Sequence, residues 1–174
     1  MILSPAWKSI WMRRSKMTEW IVNSWRIFPH PVFRHQYLKL IEDAKRARAA
    51  DPQNYKSKRA AKLLMATKKM AFEDIPSNPA DVKFRQGVTL GDDYKHWRRG
   101  KYLQQYRLFF RFSEKDRIIV LAWVNDEDTK RAYDSKTDVY RIFRKMLDRG
   151  TPPDDWVALL SEAVAGSQAI EDDI

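Results

Sequence analysis

Cysteine is absent from the 174 residues. That excludes disulfides, a thiol nucleophile and every thiolate metal site, and it fits a reducing compartment. Histidine is nearly absent: His30, His35 and His96 are the three in the chain. None has the paired spacing of a zinc site. HExxH, a Gly-rich phosphate loop and GxSxG are missing as well, so no metal and no cofactor is expected. No apolar run is long enough to span a bilayer, and the opening MILSPAWKSIWMRRSK carries its basic residues after its apolar stretch, opposite to a signal peptide. Met17 is an alternative start, which makes residues 1–17 an extension, 18–165 a single domain and 166–174 an acidic flexible tail. From Thr151 onward there is no Lys or Arg.

What is present is positive charge. The formal charge is +10, the sequence pI about 9.8, and 44% of residues are hydrophobic. The chain therefore reads as a globular domain with a core, whose partner is a nucleic acid or another polyanion.

Periodicity divides the chain. Trp25 to Phe28, ended by Pro29, reads as an edge strand. Phe33, Tyr37, Leu40, Ile41 and Ala44 recur at helical spacing up to Asp51-Pro52. A second helix is expected over about 53–72, with Ala60, Leu63, Leu64, Thr67, Met70 and Ala71 inside and Lys56, Lys58, Arg59, Lys62, Lys68 and Lys69 outside. The short link makes the two an antiparallel helical hairpin. Prolines and glycines turn Glu73 to Lys95 into a loop.

Strands are expected over Trp97 to Leu103 and Tyr106 to Phe112, joined by a glycine-free turn. Ile118 to Val124 is almost wholly apolar and reads as a central strand covered on both sides. Helical period returns from Thr129 to Arg149, where Gly150 stops it, and a short amphipathic turn or two follows Pro152-Pro153.

The alternation in the two basic strands carries the chemistry. Arg99 and Lys101 lie on one side of the first, and Arg107 and Arg111 flank Phe109 on one side of the second. If those sides coincide, four cations share one face, which favours a bound anion or interleaved acids. Asp126, Glu127 and Asp128 follow the central strand and could be those acids. Trp97, Tyr102 and Phe109 are either base-stacking surfaces or core. His96, just before the basic strand, is a candidate general base, and Tyr133 a weaker candidate acid.

DPQNYKSKRAAKLL (Asp51 to Leu64), YRLFFRFSEKDRIIVLAWVNDEDT (Tyr106 to Thr129), KTDVYRIFRKML (Lys136 to Leu147) and RGTPPDDW (Arg149 to Trp156) occur in that order. With them the chain, from roughly Phe28 to Trp156, resembles the YhaV family of bacterial type II toxins, a branch of the RelE-like mRNA interferases. The resemblance implies an α/β (α+β), RelE-like fold: an N-terminal helical hairpin packed on an antiparallel sheet, with a C-terminal helix. It implies a cytoplasmic, metal-independent endoribonuclease that cuts mRNA, on or off the ribosome, and arrests growth. A PrlF-type antitoxin protein is the implied partner, and operator DNA is met only through the antitoxin complex.

By position, Arg99 and Lys101 match the family's basic pair and Arg107 the arginine of its second strand. His96 joins them as a catalytic candidate, while Arg111, Arg98 and Arg85 are candidates for RNA contact. Basic residues that many RelE-like chains carry after the last strand are replaced here by Asn125-Asp126-Glu127-Asp128. The alternatives are a non-catalytic RNA- or ribosome-binding module on the same fold, and a topoisomerase poison like ParE.

Overall fold

A computed structural model describes residues 20–129 and 138–166. The segment that contains Tyr133 and the proposed extension before Met17 lie outside the described residues. The strands are β1 (Trp20–Val22), β2 (Trp25–Pro29), β3 (Arg98–Tyr102), β4 (Tyr106–Ser113) and β5 (Ile118–Val124). The helices are α1 (Pro31–Ala50), α2 (Arg59–Lys69), α3 (Val139–Asp148) and α4 (Trp156–Gly166).

One sheet runs in the order β1-β2-β5-β4-β3. Alternation along β5 sends Ile119 and Leu121 to one face and Ile118, Val120 and Ala122 to the other. The first face is covered by α1 and α2 through Phe33, Tyr37, Ile41 and Leu64. The second is covered by α3 and α4 through Val139, Phe143, Leu159 and Ala163. The α+β arrangement and helical hairpin expected from the sequence are thus present, and β5 is the expected central strand, buried throughout.

Three expectations are corrected. β2 is interior, between β1 and β5, rather than an edge strand. Its proline is the last residue of the strand, where a missing N–H does little harm. The sheet is not wholly antiparallel, because β2 runs parallel to β5, with Ile27 opposite Ile119. The expected second helix starts only at Arg59, after a 3₁₀ turn at Tyr55–Ser57, and runs on through a π turn (Met70–Asp74) to Ser77. The π turn restarts the helix just before Pro76, so the ring falls in a first turn, where no N–H is required.

Two local features shape the basic strands. Between β3 and β4, Leu103 and Gln104 both adopt left-handed backbone, at φ 43 and 62, which costs a non-glycine residue about 1–2 kcal/mol. At Gly100, between Arg99 and Lys101, any side chain would collide with Met70. Glycine there lets the π turn close against the sheet.

Candidate active site

The register of β3 and β4 settles whether the basic faces coincide. Arg99 is opposite Phe109 and Lys101 opposite Arg107. Partners in an antiparallel pair project to the same side, so Arg99, Lys101, Arg107 and Phe109 share the face covered by α3. Phe109 itself is fully buried, stacked on Phe143 with ring centroids 4.1 Å apart.

Arg99 and Arg107 are the buried pair, only 7% and 6% exposed. Arg99 Nε donates to Tyr140 Oη at 2.9 Å, and Arg107 Nε donates to the same oxygen at 3.2 Å. Their remaining bonds go to backbone carbonyls. Arg99 Nη1 donates to Lys83 O at 2.8 Å, and Arg107 Nη1 to Gln104 O and Tyr106 O at 2.7 and 2.9 Å. The strained turn is what brings the Gln104 carbonyl there. None of the ion pairs among the described residues involves Arg99, Lys101 or Arg107. Two guanidiniums held side by side without a carboxylate make a strongly electropositive spot, for burial weakens screening.

The acidic run after β5 serves elsewhere. Asp126 caps its own turn by accepting from Asp128 N and Thr129 N. Glu127 takes a bidentate pair of bonds from Arg59 and accepts from the Tyr106 hydroxyl. Asn125 is buried and bonds to the backbone of the arginine strand. Its Oδ1 accepts from Arg107 N at 2.8 Å, while Nδ2 donates to Gln105 O and Thr129 O at 3.2 and 3.0 Å.

The other sequence candidates are spread more widely. Lys101 is exposed on the arginine face. His96 is hydrogen-bonded through Nε2 to Asp154 Oδ1 at 2.6 Å, and Trp97 Nε1 donates to the same oxygen at 2.7 Å. No hydrogen bond joins His96 to Arg99, Arg107 or Tyr140 among the described residues. Arg111 lies between the Trp97 and Trp156 rings, 5.7 and 5.4 Å from their centroids, and donates to Asp154 O. Burial lowers its pKa despite Asp154 and Asp155, and it fastens the start of α4 to the sheet. Arg98 projects to the opposite face, over the Phe112 ring at 5.8 Å, with Arg85 paired beside it.

The aromatics read as possible stacking platforms are core or committed. Trp97 and Phe109 are fully buried, and the Tyr102 hydroxyl is 2.9 Å from Thr67 Oγ1. On α2 much of the outer charge is paired: Lys58 with Asp51, Arg59 with Glu127 and Lys69 with Asp74. Among the described residues no cluster of three or more His, Asp or Glu side chains could hold a metal ion.

Tyr140 and Asn125 were missed by sequence reasoning. Tyr140 sits one residue into α3, behind the N-cap Asp138, whose carboxylate accepts from Tyr140 N at 3.2 Å. The capping aspartate in KTDVY was the signal that this tyrosine begins a helix and faces the strands before it.

Residues 27–164 match the family described as a toxin with endonuclease activity, of a toxin-antitoxin system. The chain belongs to the YhaV toxin family. It is 46% identical over 143 residues to the ribonuclease toxin YhaV of Escherichia coli strain K12, covering 81% of this chain and 93% of that protein. Identity and coverage are the same for the toxin YhaV of Escherichia coli O157:H7. No solved structure matches the chain. Membership in this family makes the protein an endonuclease toxin of a toxin-antitoxin system and sets aside the purely binding alternative. Among the described residues no helix is long and apolar enough to cross a membrane.

Proposed function

We propose that this toxin is a metal-independent endoribonuclease of RelE-like design. It cuts cytoplasmic mRNA, arrests translation and growth, and is silenced by a PrlF-type antitoxin. The observation that carries this reading is the convergence of Arg99 and Arg107 on Tyr140 Oη with no carboxylate partner among the described residues. The relative in Escherichia coli K12 is itself named a ribonuclease toxin.

In this mechanism the ribose 2′-oxygen attacks the adjacent phosphorus. The 2′-O–P bond forms, the P–O5′ bond breaks, and the 2′ proton leaves to a base while an acid protonates O5′. Negative charge gathers on the phosphoryl oxygens in between. Arg99 and Arg107 bear permanent charges fixed before substrate arrives, so they stabilise that charge without reorganising. Tyr140 holds the two forks together, and Asn125 fixes the backbone from which Arg107 projects. Lys101, exposed on the same face opposite Arg107, is the candidate for a proton transfer, while His96, tied to Asp154, stands apart from the pair.

The experiment is cleavage of purified mRNA in excess EDTA, with analysis of the new ends. Activity that persists and leaves 2′,3′-cyclic or 3′-phosphate ends is the expected result. Activity that vanishes in EDTA and returns with magnesium overturns the 2′-oxygen mechanism. For the partner, Lys56 in the turn before α2 and Lys62 on α2, which form no ion pair among the described residues, favour an acidic antitoxin segment. Co-expression of the adjacent gene's product should restore growth and yield a stable complex.

A further inference from the structure

The far side of β3 holds a second arginine pair that the catalytic reading does not use. Arg85 and Arg98 face each other across an antiparallel bridge at the outer edge of the sheet. Two like charges directly opposite on neighbouring strands repel unless something negative lies between them. None of the ion pairs among the described residues involves either one. Arg98 Nε is buried and has no hydrogen-bond partner among the described residues, a costly state for a charged donor. The guanidinium is laid over the Phe112 ring, so the arginine is part of the packed surface. Burial, with the Arg85 charge added, lowers the Arg98 pKa.

We infer that Arg85 and Arg98 form a second phosphate site, which takes a phosphodiester flanking the one that is cut in a single-stranded RNA. The inference rests on the ribonuclease reading above for the identity of the polyanion. Its geometry follows from the edge strand. Arg98 and Arg99 are consecutive, so their side chains leave β3 on opposite faces. The short segment Lys83–Arg85 runs along the outside of that strand: the Lys83 carbonyl accepts from Arg99, and Arg85 pairs with Arg98. An RNA chain draped over this segment meets the Arg99–Arg107 pair on one side and the Arg85–Arg98 pair on the other. Phosphates two points apart then hold the chain in register, and the cut falls at the first of them. A single strand suits this path because it bends around one sheet edge, which a duplex does not.

The test uses the full-length protein and a fluorescent, fully 2′-O-methylated RNA of about 12 nucleotides, which binds but cannot be cut. Arg85 is exposed and has no side-chain bond to lose among the described residues, so Arg85→Ala and Arg85→Glu should fold normally. Arg98→Lys keeps the charge and the stem while losing the fork. Salt titrations should show the slope of log K against log[salt] smaller by about 0.7 for Arg85→Ala, the value of one phosphate contact on a single strand. On unmodified RNA, KM should rise several-fold with kcat unchanged, and Arg85→Glu should be worse than Arg85→Ala. The control is Lys39→Ala, on the wet face of α1. A slope and KM for both Arg85 variants that match the control overturn this site, even if Arg99→Ala abolishes cleavage. Cleavage that survives Arg99→Ala overturns the catalytic reading instead, and leaves the binding result to decide this one.

Discussion

Arg99 and Arg107 donate from adjacent strands to a single oxygen, the hydroxyl of Tyr140, at 2.9 and 3.2 Å. Neither guanidinium reaches a carboxylate among the described residues, which is the basis for assigning the pair to a substrate phosphate. The first consequence concerns Tyr140. In Tyr140→Phe the ring still packs on Phe109, whose centroid is 5.7 Å away, but two buried N–H groups lose their shared acceptor. Denaturant unfolding should show a loss of about 1–3 kcal/mol. Single-turnover cleavage should fall at least about tenfold, because forks free to splay stabilise the phosphorane less well. Wild-type cleavage by Tyr140→Phe would remove the tyrosine from the account.

Asn125 is predicted to act on Arg107 through the backbone. Asn125→Ala strands the Arg107 N–H and two carbonyls, and about 2–3 kcal/mol of stability should go with them. Asn125→Asp keeps the acceptor for Arg107 N but sets a carboxylate against the carbonyls of Gln105 and Thr129. Both variants should lower kcat more than they raise KM. The reverse pattern would assign Asn125 to RNA binding.

The basic face was legible in the sequence because two strands of period 2 joined by a short turn leave little choice of register. Which of its members form the pair was not legible. Arg111 obeys the same alternation as Arg107 yet is held between Trp97 and Trp156, an outcome set by α4, more than forty residues further on. Tyr140 was hidden for a different reason: at helical spacing among Val139, Phe143 and Leu147 a tyrosine looks like core, and only its hydroxyl shows otherwise. The parallel pairing of β2 with β5 joins segments about ninety residues apart, for which no local pattern exists. Pro76 misled in the opposite direction, since a π turn lets the helix pass a residue that ordinarily stops one.

Acid should loosen the fold through His30. Its Nδ1 accepts from Val32 N, so Nε2 carries the proton and donates to Glu162 at 2.6 Å. Burial lowers the His30 pKa below the usual 6.5, although Glu162 opposes this. Folding therefore favours the neutral ring. The contribution is complete above about pH 6.5 and is lost as pH falls below that value, where the unfolded chain binds the extra proton. Unfolding curves at pH 8, 7, 6 and 5 should show the decline, and His30→Asn, which retains an acceptor for Val32 N, should flatten it. Stability of the wild type that rises on acidification through this window contradicts the assignment.

His96 should prove dispensable for the chemical step. It is exposed and tied to Asp154 at the start of α4, so His96→Ala should change kcat by a few-fold at most. A loss beyond about a hundredfold, on the scale of a missing general base, together with removal of a limb from the pH–rate profile, would make it the base.

The most direct test of the whole account is single-turnover cleavage by Arg99→Ala, with folding checked by circular dichroism and by retained antitoxin binding. Loss of one preorganised charge at the phosphorane costs about 3 kcal/mol, or roughly a hundredfold or more in rate. The account predicts a loss of that size, with Arg107→Ala next in severity and Lys101→Ala milder. Cleavage within a few-fold of wild type at equal folded concentration would contradict it.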